Sequence, residues 1–116
     1  MARGTDAIVI LVTCSSRAEA KRIAAALVAK RLAACGNIVN APVTSIYRWK
    51  GKVQKAREVL LILKSTRRAF DKLAREVRHM HSCEVPEIIA LPITGGSRQY
   101  LSWIRENTGN AGRVGG

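Results

Sequence analysis

The 116-residue chain is poor in aromatic side chains, poor in acidic ones and without any long apolar run. It holds one Phe, two Trp and two Tyr, and eight Asp and Glu residues. No apolar stretch approaches the roughly 18–20 residues of a membrane-spanning helix, so we expect no membrane partner. Three cysteines, an odd number, argue against a disulfide framework. These scarcities favour a cytoplasmic protein, and 47% hydrophobic residues favour one packed domain over a disordered basic tail.

The abundant feature is positive charge, because twenty Lys and Arg residues give a formal net charge of +12. Such an excess is typical of proteins with an anionic partner, either nucleic acid or a membrane surface. The charges are scattered, however, and neither of the two largest groups, 48–57 and 64–68, is an unbroken run of like charges. We therefore interpret most of the excess as a surface that favours solubility.

Apolar periodicity divides the chain into two similar halves. Ile8–Val12 and Val59–Leu63 are continuous aliphatic runs, which are typical of strands buried on both faces. An amphipathic helix follows each run, and the first helix begins with a capping box formed by Ser16 and Glu19. The halves superpose at a shift of fifty residues, with a tight turn at 50–51 between them. This repetition predicts a duplicated βαβ unit.

Two βαβ units joined by a hairpin give the βαββαβ order of the ferredoxin-like fold, an α+β sandwich of an antiparallel sheet with both helices on one face. We expect one domain over residues 1–108, with an added C-terminal helix around Tyr100–Ile104, and a disordered Gly-rich tail over 109–116. Because both helices lie on one face of the sheet, strands that are apolar on both faces leave apolar side chains uncovered on the other face. The short C-terminal helix cannot cover that face alone, so we expect an oligomer.

The central strands lack the features of two functions that this fold supports elsewhere. An RNA-binding βαββαβ domain stacks bases on aromatic residues of these strands, and neither strand has one, which argues against nucleic acid as a partner. A soft-metal carrier needs two cysteines in the first strand-to-helix loop, where Cys14 is alone. No pair of carboxylates suited to acid–base catalysis and no Gly-rich phosphate loop is evident, so we expect no enzyme activity.

Metal-binding side chains concentrate in one segment, His79-Met80-His81-Ser82-Cys83-Glu84. Imidazole, thiol and carboxylate groups suit copper or zinc. The spacing matches no fixed ligand motif, and the segment lies at an expected helix end, where a His is favoured without any metal. Both interpretations stay open at this point: a set of metal ligands, or a helix terminus.

Four segments, in order along the chain, carry a family resemblance. They are Lys30-Arg31-Leu32-Ala33-Ala34-Cys35 with Asn37-Ile38-Val39, Thr44-Ser45-Ile46-Tyr47 with Trp49 and Gly51-Lys52, Glu84-Val85-Pro86-Glu87-Ile88-Ile89-Ala90-Leu91-Pro92, and Tyr100-Leu101-Ser102-Trp103. Together they resemble the CutA family of divalent-cation tolerance proteins, from about Ile8 to Asn107. Four motifs in the same order make a chance resemblance improbable.

The resemblance implies a ferredoxin-like subunit in a homotrimer, similar in architecture to the PII signal-transducer proteins, and the neighbouring subunits would cover the open sheet face. The family is associated with copper tolerance and not with an established reaction. The implied ligand is therefore Cu²⁺ or another divalent cation, which we assign to His81, Cys83 and Glu84. The resemblance also places further residues near clefts between subunits: Cys35, Trp49, Lys64, Glu87, Tyr100 and Trp103.

The chain departs from the family pattern at two places, which keeps other functions open. The family's His-His-Pro-Tyr is here Met80-His81-Ser82-Cys83, so one imidazole is missing, and His79 or Cys83 would have to substitute. The hairpin, where the family has several acids, carries Gln54-Lys55-Ala56-Arg57, which favours anions over cations. One alternative is a PII-like sensor of a small anionic metabolite, bound near a helix start by Lys64, Arg67 and Arg68. Another is a trimeric scaffold without a ligand.

Overall fold

Five antiparallel strands form the sheet, and two of three helices pack on one of its faces. The computed structural model describes residues 5–109. In chain order the elements are β1 (Ala7–Cys14), α1 (Arg17–Ala29), β2 (Cys35–Ile38), β3 (Val43–Trp49), β4 (Lys52–Thr66), α2 (Phe70–Met80), β5 (Ile88–Pro92) and α3 (Arg98–Glu106), with a 3-10 turn at Arg67–Ala69 before α2. The strand order β2-β4-β1-β5, with β3 paired to the first half of β4, confirms the predicted ferredoxin-like fold. Among the described helices, none combines the length and apolarity needed to span a membrane.

The two central strands, β1 and β4, supply the main core. Their helix-facing residues are fully buried and form one cluster with α1 and α2: Ile10, Val12, Leu61, Leu63, Ile23, Leu27, Leu73 and Val77. Each such side chain stabilises the fold by roughly 1.5–3 kcal/mol through its removal from water. Because side chains alternate along a strand, the residues between them, such as Leu11 and Ile62, face the other side of the sheet.

Local signals read from the sequence set the ends of these elements. The Ser16 hydroxyl accepts a hydrogen bond from the Glu19 N–H at 3.1 Å, which caps the start of α1 as predicted. Lys50 and Gly51 have φ angles of 51° and 80°, as the central residues of a type I′ hairpin turn require. The predicted tight turn between β3 and β4 is therefore confirmed.

Arg31 connects the end of α1 to the end of α3. Its φ of 59° is left-handed, a conformation that costs a residue other than glycine about 1 kcal/mol. Its carbonyl oxygen accepts the Gly109 N–H at 2.6 Å, and its guanidinium donates to the carbonyl oxygens of Gly109 at 2.6 Å and Glu106 at 2.5 Å. These bonds hold Gly109, the first residue of the predicted tail, whereas 110–116 lie outside the described residues.

The second face of the sheet is covered at one end. Leu101 and Ile104 of α3 pack there against Ala7 and Ala34. The rest is an open apolar face, formed by Val9, Leu11, Leu60, Ile62, Ile89 and Leu91. Ile89 and Leu91 are each 48% exposed. The expectation that α3 cannot cover this face alone is met.

Gly36 lies where β2 passes close to α1, and a side chain has little room there. A Cβ at this position would lie 3.1 Å from the Ala24 Cβ and 3.1 Å from the Leu63 Cδ2. We expect Gly36→Ala to lower the midpoint of thermal unfolding by roughly 4–8 °C, equivalent to about 1 kcal/mol, because both neighbours must move. Gly96→Ala is the matched control, since its Cβ would meet Leu101 atoms no closer than 3.6 Å. Equal midpoints for the two variants would contradict tight packing of α1 on β2.

Candidate functional site

A pocket of about 720 Å³ lies between the β3–β4 hairpin and the segment 81–87 that follows α2. The strands contribute Thr13, Ser45, Ile46, Tyr47, Trp49 and Glu58 to its lining. The segment 81–87 contributes His81, Cys83, Glu84, Val85, Pro86 and Glu87. β4 has fifteen residues and β1 has eight, so β4 extends beyond the end of β1. The extension pairs with β3 and forms the hairpin beside this segment.

The pocket is acidic although the protein is basic. Three of the eight acidic residues, Glu58, Glu84 and Glu87, line it, and its lining includes no Lys or Arg. These three carboxylates take part in none of the side-chain hydrogen bonds and salt bridges found among residues 5–109. A concave surface lined by charge of one sign concentrates the opposite ion. The lining of the pocket is therefore opposite in sign to the net charge of the chain, and its charge favours a cation over an anion.

His81 is held by hydrogen bonds at both ring nitrogens. Its Nε2 lies 2.7 Å from the carbonyl oxygen of Thr13, which can only accept, so Nε2 carries the hydrogen and donates it. The Cys83 N–H donates to Nδ1 at 3.0 Å. The ring is thus the neutral Nε2–H tautomer, and it fastens the segment 81–87 to the end of β1. Neither nitrogen offers a free lone pair to a metal ion in this arrangement.

Glu19 links the start of α1 to the same segment. One carboxylate oxygen accepts hydrogen bonds from the Ser15 N–H and hydroxyl at 2.8 and 3.0 Å, and the other accepts the Ser82 N–H at 2.7 Å. Burial raises the pKa of this carboxyl, but the hydrogen bonds from Ser15 and Ser82 outweigh burial and lower the pKa to about 2. The predicted capping box is half formed, because the Glu19 carboxylate accepts a hydrogen bond from the Ser15 N–H and not from the Ser16 N–H.

Cys14, Glu19 and His81 bring a thiol, a carboxylate and an imidazole together, with their ligand atoms within 4.8 Å of one another. A metal ion binds cysteine as the thiolate. Burial, and then the charges of Glu19 and Glu58, raise the pKa of Cys14 to about 12, so the thiol stays protonated near neutral pH. Glu19 and His81 already have hydrogen-bond partners, so a metal ion bound by this trio would have to replace those hydrogen bonds and the thiol proton of Cys14.

Cys83 differs from Cys14 because it is exposed and lines the pocket. Partial burial, and then the charges of Glu58 and Glu19, raise the pKa of its thiol. The charge of Glu58 thus acts on the thiols of both Cys14 and Cys83. Cys83, Glu58 and Glu84 all line the pocket, and none of the three side chains takes part in the hydrogen bonds that hold the His81 ring.

A second group of predicted residues lies at the end of the sheet covered by α3. The Cys35 Sγ lies 3.7 Å from the Tyr100 hydroxyl oxygen, and the rings of Tyr100 and Trp103 stack with centroids 5.4 Å apart. Lys64 pairs with Cys35 across β2 and β4, and its ammonium donates to the side-chain oxygen of Asn37. Both aromatic rings are exposed. We call Cys35, Tyr100 and Trp103 the aromatic patch.

The structure thus divides the predicted site residues between two places. The pocket contains the proposed ligands and two of the cleft residues: His81, Cys83, Glu84, Trp49 and Glu87. The remaining cleft residues lie at or beside the aromatic patch: Cys35, Lys64, Tyr100 and Trp103. His79, one proposed substitute for the missing imidazole, is exposed on α2 and is not among the residues that line the pocket.

Glu58 is the pocket residue that sequence reasoning missed. It directly follows the basic segment 54–57 and is not among the ligands predicted from the sequence. The signal was present, because Glu58 is the single acidic residue of the stretch 43–58, which holds five Lys and Arg residues. An isolated carboxylate at the base of a basic hairpin suggests a local role for that charge.

Comparison with known proteins places the chain in a family. Residues 8–107 match the family described as CutA1 divalent ion tolerance protein. The chain belongs to the CutA1 family. It is 54% identical over 101 residues to the divalent-cation tolerance protein CutA of Thermus thermophilus, covering 87% of this chain and 97% of that relative. It is 46% identical over 97 residues to human protein CutA, covering 84% of this chain and 54% of the human protein.

Solved structures of CutA1 family members share the fold. The structure from Thermus thermophilus superposes with a TM-score of 0.86 at 53% identity, covering 89% of this chain and 99% of that one. CutA1 from Oryza sativa superposes with a TM-score of 0.84 at 43% identity, covering 88% and 93% of the two chains. The predicted family and the predicted α+β fold are both confirmed.

The hydrogen bonds of Glu19 make stability depend on pH in the acid range. A carboxyl with a pKa of about 2 when folded and about 4.3 when unfolded adds stability above pH 4.3, and this stability is lost as the pH falls through 2. We expect Glu19→Gln to lower the free energy of unfolding by about 2 kcal/mol at pH 7. Between pH 5 and pH 2 the variant should lose less further stability than the wild type. Urea unfolding at fixed protein concentration measures both effects.

Glu106→Gln is the matched control, because Glu106 is exposed at the end of α3. It should leave the stability at pH 7 within about 0.5 kcal/mol of the wild type. Parallel losses of stability in the wild type and in Glu19→Gln between pH 5 and pH 2 would mean that Ser15 and Ser82 do not keep the carboxylate ionised.

Proposed function

We propose that the chain binds a divalent cation in the acidic pocket and takes part in a response to metal ions. The observation that supports this is that Glu58, Glu84, Glu87 and Cys83 all line one pocket, whose lining includes no Lys or Arg. Carboxylate and thiolate donors suit Zn²⁺ and Cu²⁺. The family description names divalent-ion tolerance, and Cu²⁺ is our first candidate within that class. The proposed role is binding without catalysis, in the cytoplasm.

The proposed ligands differ in how readily they reach an ion. Cys83 and Glu84 were predicted from the sequence, and Glu58 joins them in the pocket. His81 offers Nδ1 only after the Cys83 N–H releases it, so we assign it to positioning the segment before binding and not to the first contact. Because Cys83 must lose its proton to bind, and its pKa is raised, affinity should increase with pH.

We further propose that three copies of the chain assemble through the open apolar face. Soluble monomers seldom expose a contiguous aliphatic surface of this kind. Assembly would bury Ile89 and Leu91 and would bring the aromatic patch of one subunit beside the pocket of the next. The pocket and the patch would then form the two walls of an intersubunit cleft, in keeping with the clefts between subunits that the family resemblance implies.

Isothermal titration with Cu²⁺ and Zn²⁺ tests the proposed ligands. We expect Glu58→Gln and Cys83→Ser each to weaken binding by roughly 10–100-fold, since each removes one donor from the pocket. His81→Ala is a less specific probe, because it also removes the hydrogen bonds to Thr13 and Cys83. Glu106→Gln again serves as the control and should bind as the wild type does.

Unchanged binding heats in both Glu58→Gln and Cys83→Ser would overturn the pocket assignment. A thermal-shift panel then separates the alternatives. Stabilisation by nucleotides or small carboxylates, without stabilisation by metals, would support the sensor of an anionic metabolite near Arg67 and Arg68. A trimer that no metal and no metabolite stabilises would support the scaffold.

Light scattering after size-exclusion chromatography tests the assembly. We expect the wild type to have three times the subunit mass of 12.7 kDa. Leu91→Asp should shift the mass towards one subunit, because it places a charge in the buried interface. Val28→Asp is the matched control, since Val28 is 39% exposed on α1, on the helix-covered side of the sheet. A wild type that runs as a monomer would rule out the interface.

A further inference from the structure

A stripe of basic side chains runs along the outer side of α2 and of the 3-10 turn before it. Arg68, Lys72, Arg75 and His79 follow one another at intervals of four, three and four residues, which places them on one side of the helix, and all four are exposed. Leu73, Ala74 and Val77 occupy the opposite, buried side. The stripe is roughly 16 Å long at 1.5 Å per residue. We call it the α2 stripe.

The side chains of the α2 stripe form no salt bridges within the described part of the chain. The single salt bridge among residues 5–109 joins Lys30 to Glu76 at the seam between α1 and α2. Asp71 is exposed beside the stripe and forms no salt bridge with any described residue. The charge of the stripe is therefore available to an external anion.

The neighbouring helix extends the basic surface. α1 exposes Arg17, Lys21 and Arg22, and its one acidic residue, Glu19, is buried and fully hydrogen-bonded. Arg67 and Arg78 flank the α2 stripe on the next helical positions. Positive charge thus collects on the layer formed by α1 and α2, which we call the helical layer. The acidic pocket lies beyond the end of α2.

The residue composition of the helical layer indicates which class of polyanion it can bind. The exposed surface of α1 and α2 has no aromatic ring, since the exposed aromatic residues of the described chain lie on the hairpin and on α3: Tyr47, Trp49, Tyr100 and Trp103. Single-stranded nucleic acid is bound through stacking on such rings. A helix that lies on a membrane inserts Trp, Phe or Leu, whereas the large apolar residue exposed on α1 and α2 is Val28 alone. Neither partner fits this surface.

A duplex contacted at its phosphates needs neither rings nor apolar side chains. Arginine predominates over lysine on the layer, and its planar guanidinium matches phosphate oxygens with paired hydrogen bonds. A duplex carries one charge per about 1.7 Å of axis when both strands are counted, so a length of duplex equal to the stripe carries roughly ten phosphates, and those on the near side lie against the stripe. We propose that the helical layer, centred on the α2 stripe, binds double-stranded nucleic acid through its phosphates without reading the base sequence.

This inference does not depend on the cation site or on the open sheet face. The sequence argued against nucleic acid because the central strands lack stacking residues, and that argument applies to binding on the sheet. The helical layer covers the other face and uses charge alone. In a trimer formed through the open face, the helices of each subunit would remain outside.

Fluorescence anisotropy with a labelled 20-base-pair DNA duplex, titrated with the full chain at several KCl concentrations, tests the proposal. About four phosphate contacts predict a slope near −3.6 for log affinity against log salt, and hence a roughly 100-fold loss of affinity between 50 and 200 mM. The double variant Lys72→Gln/Arg75→Gln should flatten this slope by about 2 and weaken binding at 100 mM at least about tenfold.

The hairpin double variant Lys55→Gln/Arg57→Gln is the matched control, because it removes the same charge from another exposed site. It should change affinity less than threefold. Equal weakening by both pairs would show diffuse attraction by net charge and would overturn the proposal. So would the absence of duplex binding at 50 mM KCl, or preference for a single strand or for anionic phosphatidylserine vesicles over the duplex. Unchanged thermal midpoints exclude misfolding of either variant.

Discussion

The structure depends on two central strands that are apolar on both faces. One face of β1 and β4 is covered by the chain's own helices, because α1 and α2 bury Ile10, Val12, Leu61 and Leu63. The other face receives only the side chains of α3 at one end. This imbalance separates the surface of the molecule into three regions of different chemistry: an open aliphatic sheet, a basic helical layer and an acidic pocket. Each region suits a different class of partner.

The pocket shows that proximity of metal-binding groups and readiness to bind are different properties. Cys14, Glu19 and His81 are close together, yet hydrogen bonds already engage Glu19 and His81 in holding the segment 81–87, and the raised pKa of Cys14 keeps its thiol protonated. The carboxylates of Glu58 and Glu84 form no such hydrogen bonds among the described residues. A rigid network behind these carboxylates would position the proposed cation site before an ion binds.

Much of the fold follows from local sequence signals, and little of the site does. The aliphatic runs, the Ser16 cap and the Lys50-Gly51 turn each specify structure through neighbouring residues, so β1, α1 and the hairpin could be predicted. The partner of His81 is a backbone carbonyl 68 positions away, which no side-chain pattern can reveal. Glu58 and Glu84 line the same pocket because the hairpin lies beside the segment 81–87, a result of tertiary packing and not of spacing.

The left-handed turn at Arg31 has a consequence for the open face. A glycine would adopt this backbone conformation with less strain, yet only a long basic side chain can also reach the last carbonyl oxygens of α3. Arg31 therefore couples the C-terminal end of α1 to α3, the helix that covers one end of the sheet's second face. If α1 frays at its C-terminus, α3 loses its tether, and aliphatic surface opens to water at the moment the subunit loosens. Fraying at that corner would therefore also uncover Ala7 and Ala34 and enlarge the apolar surface through which copies of the chain can associate.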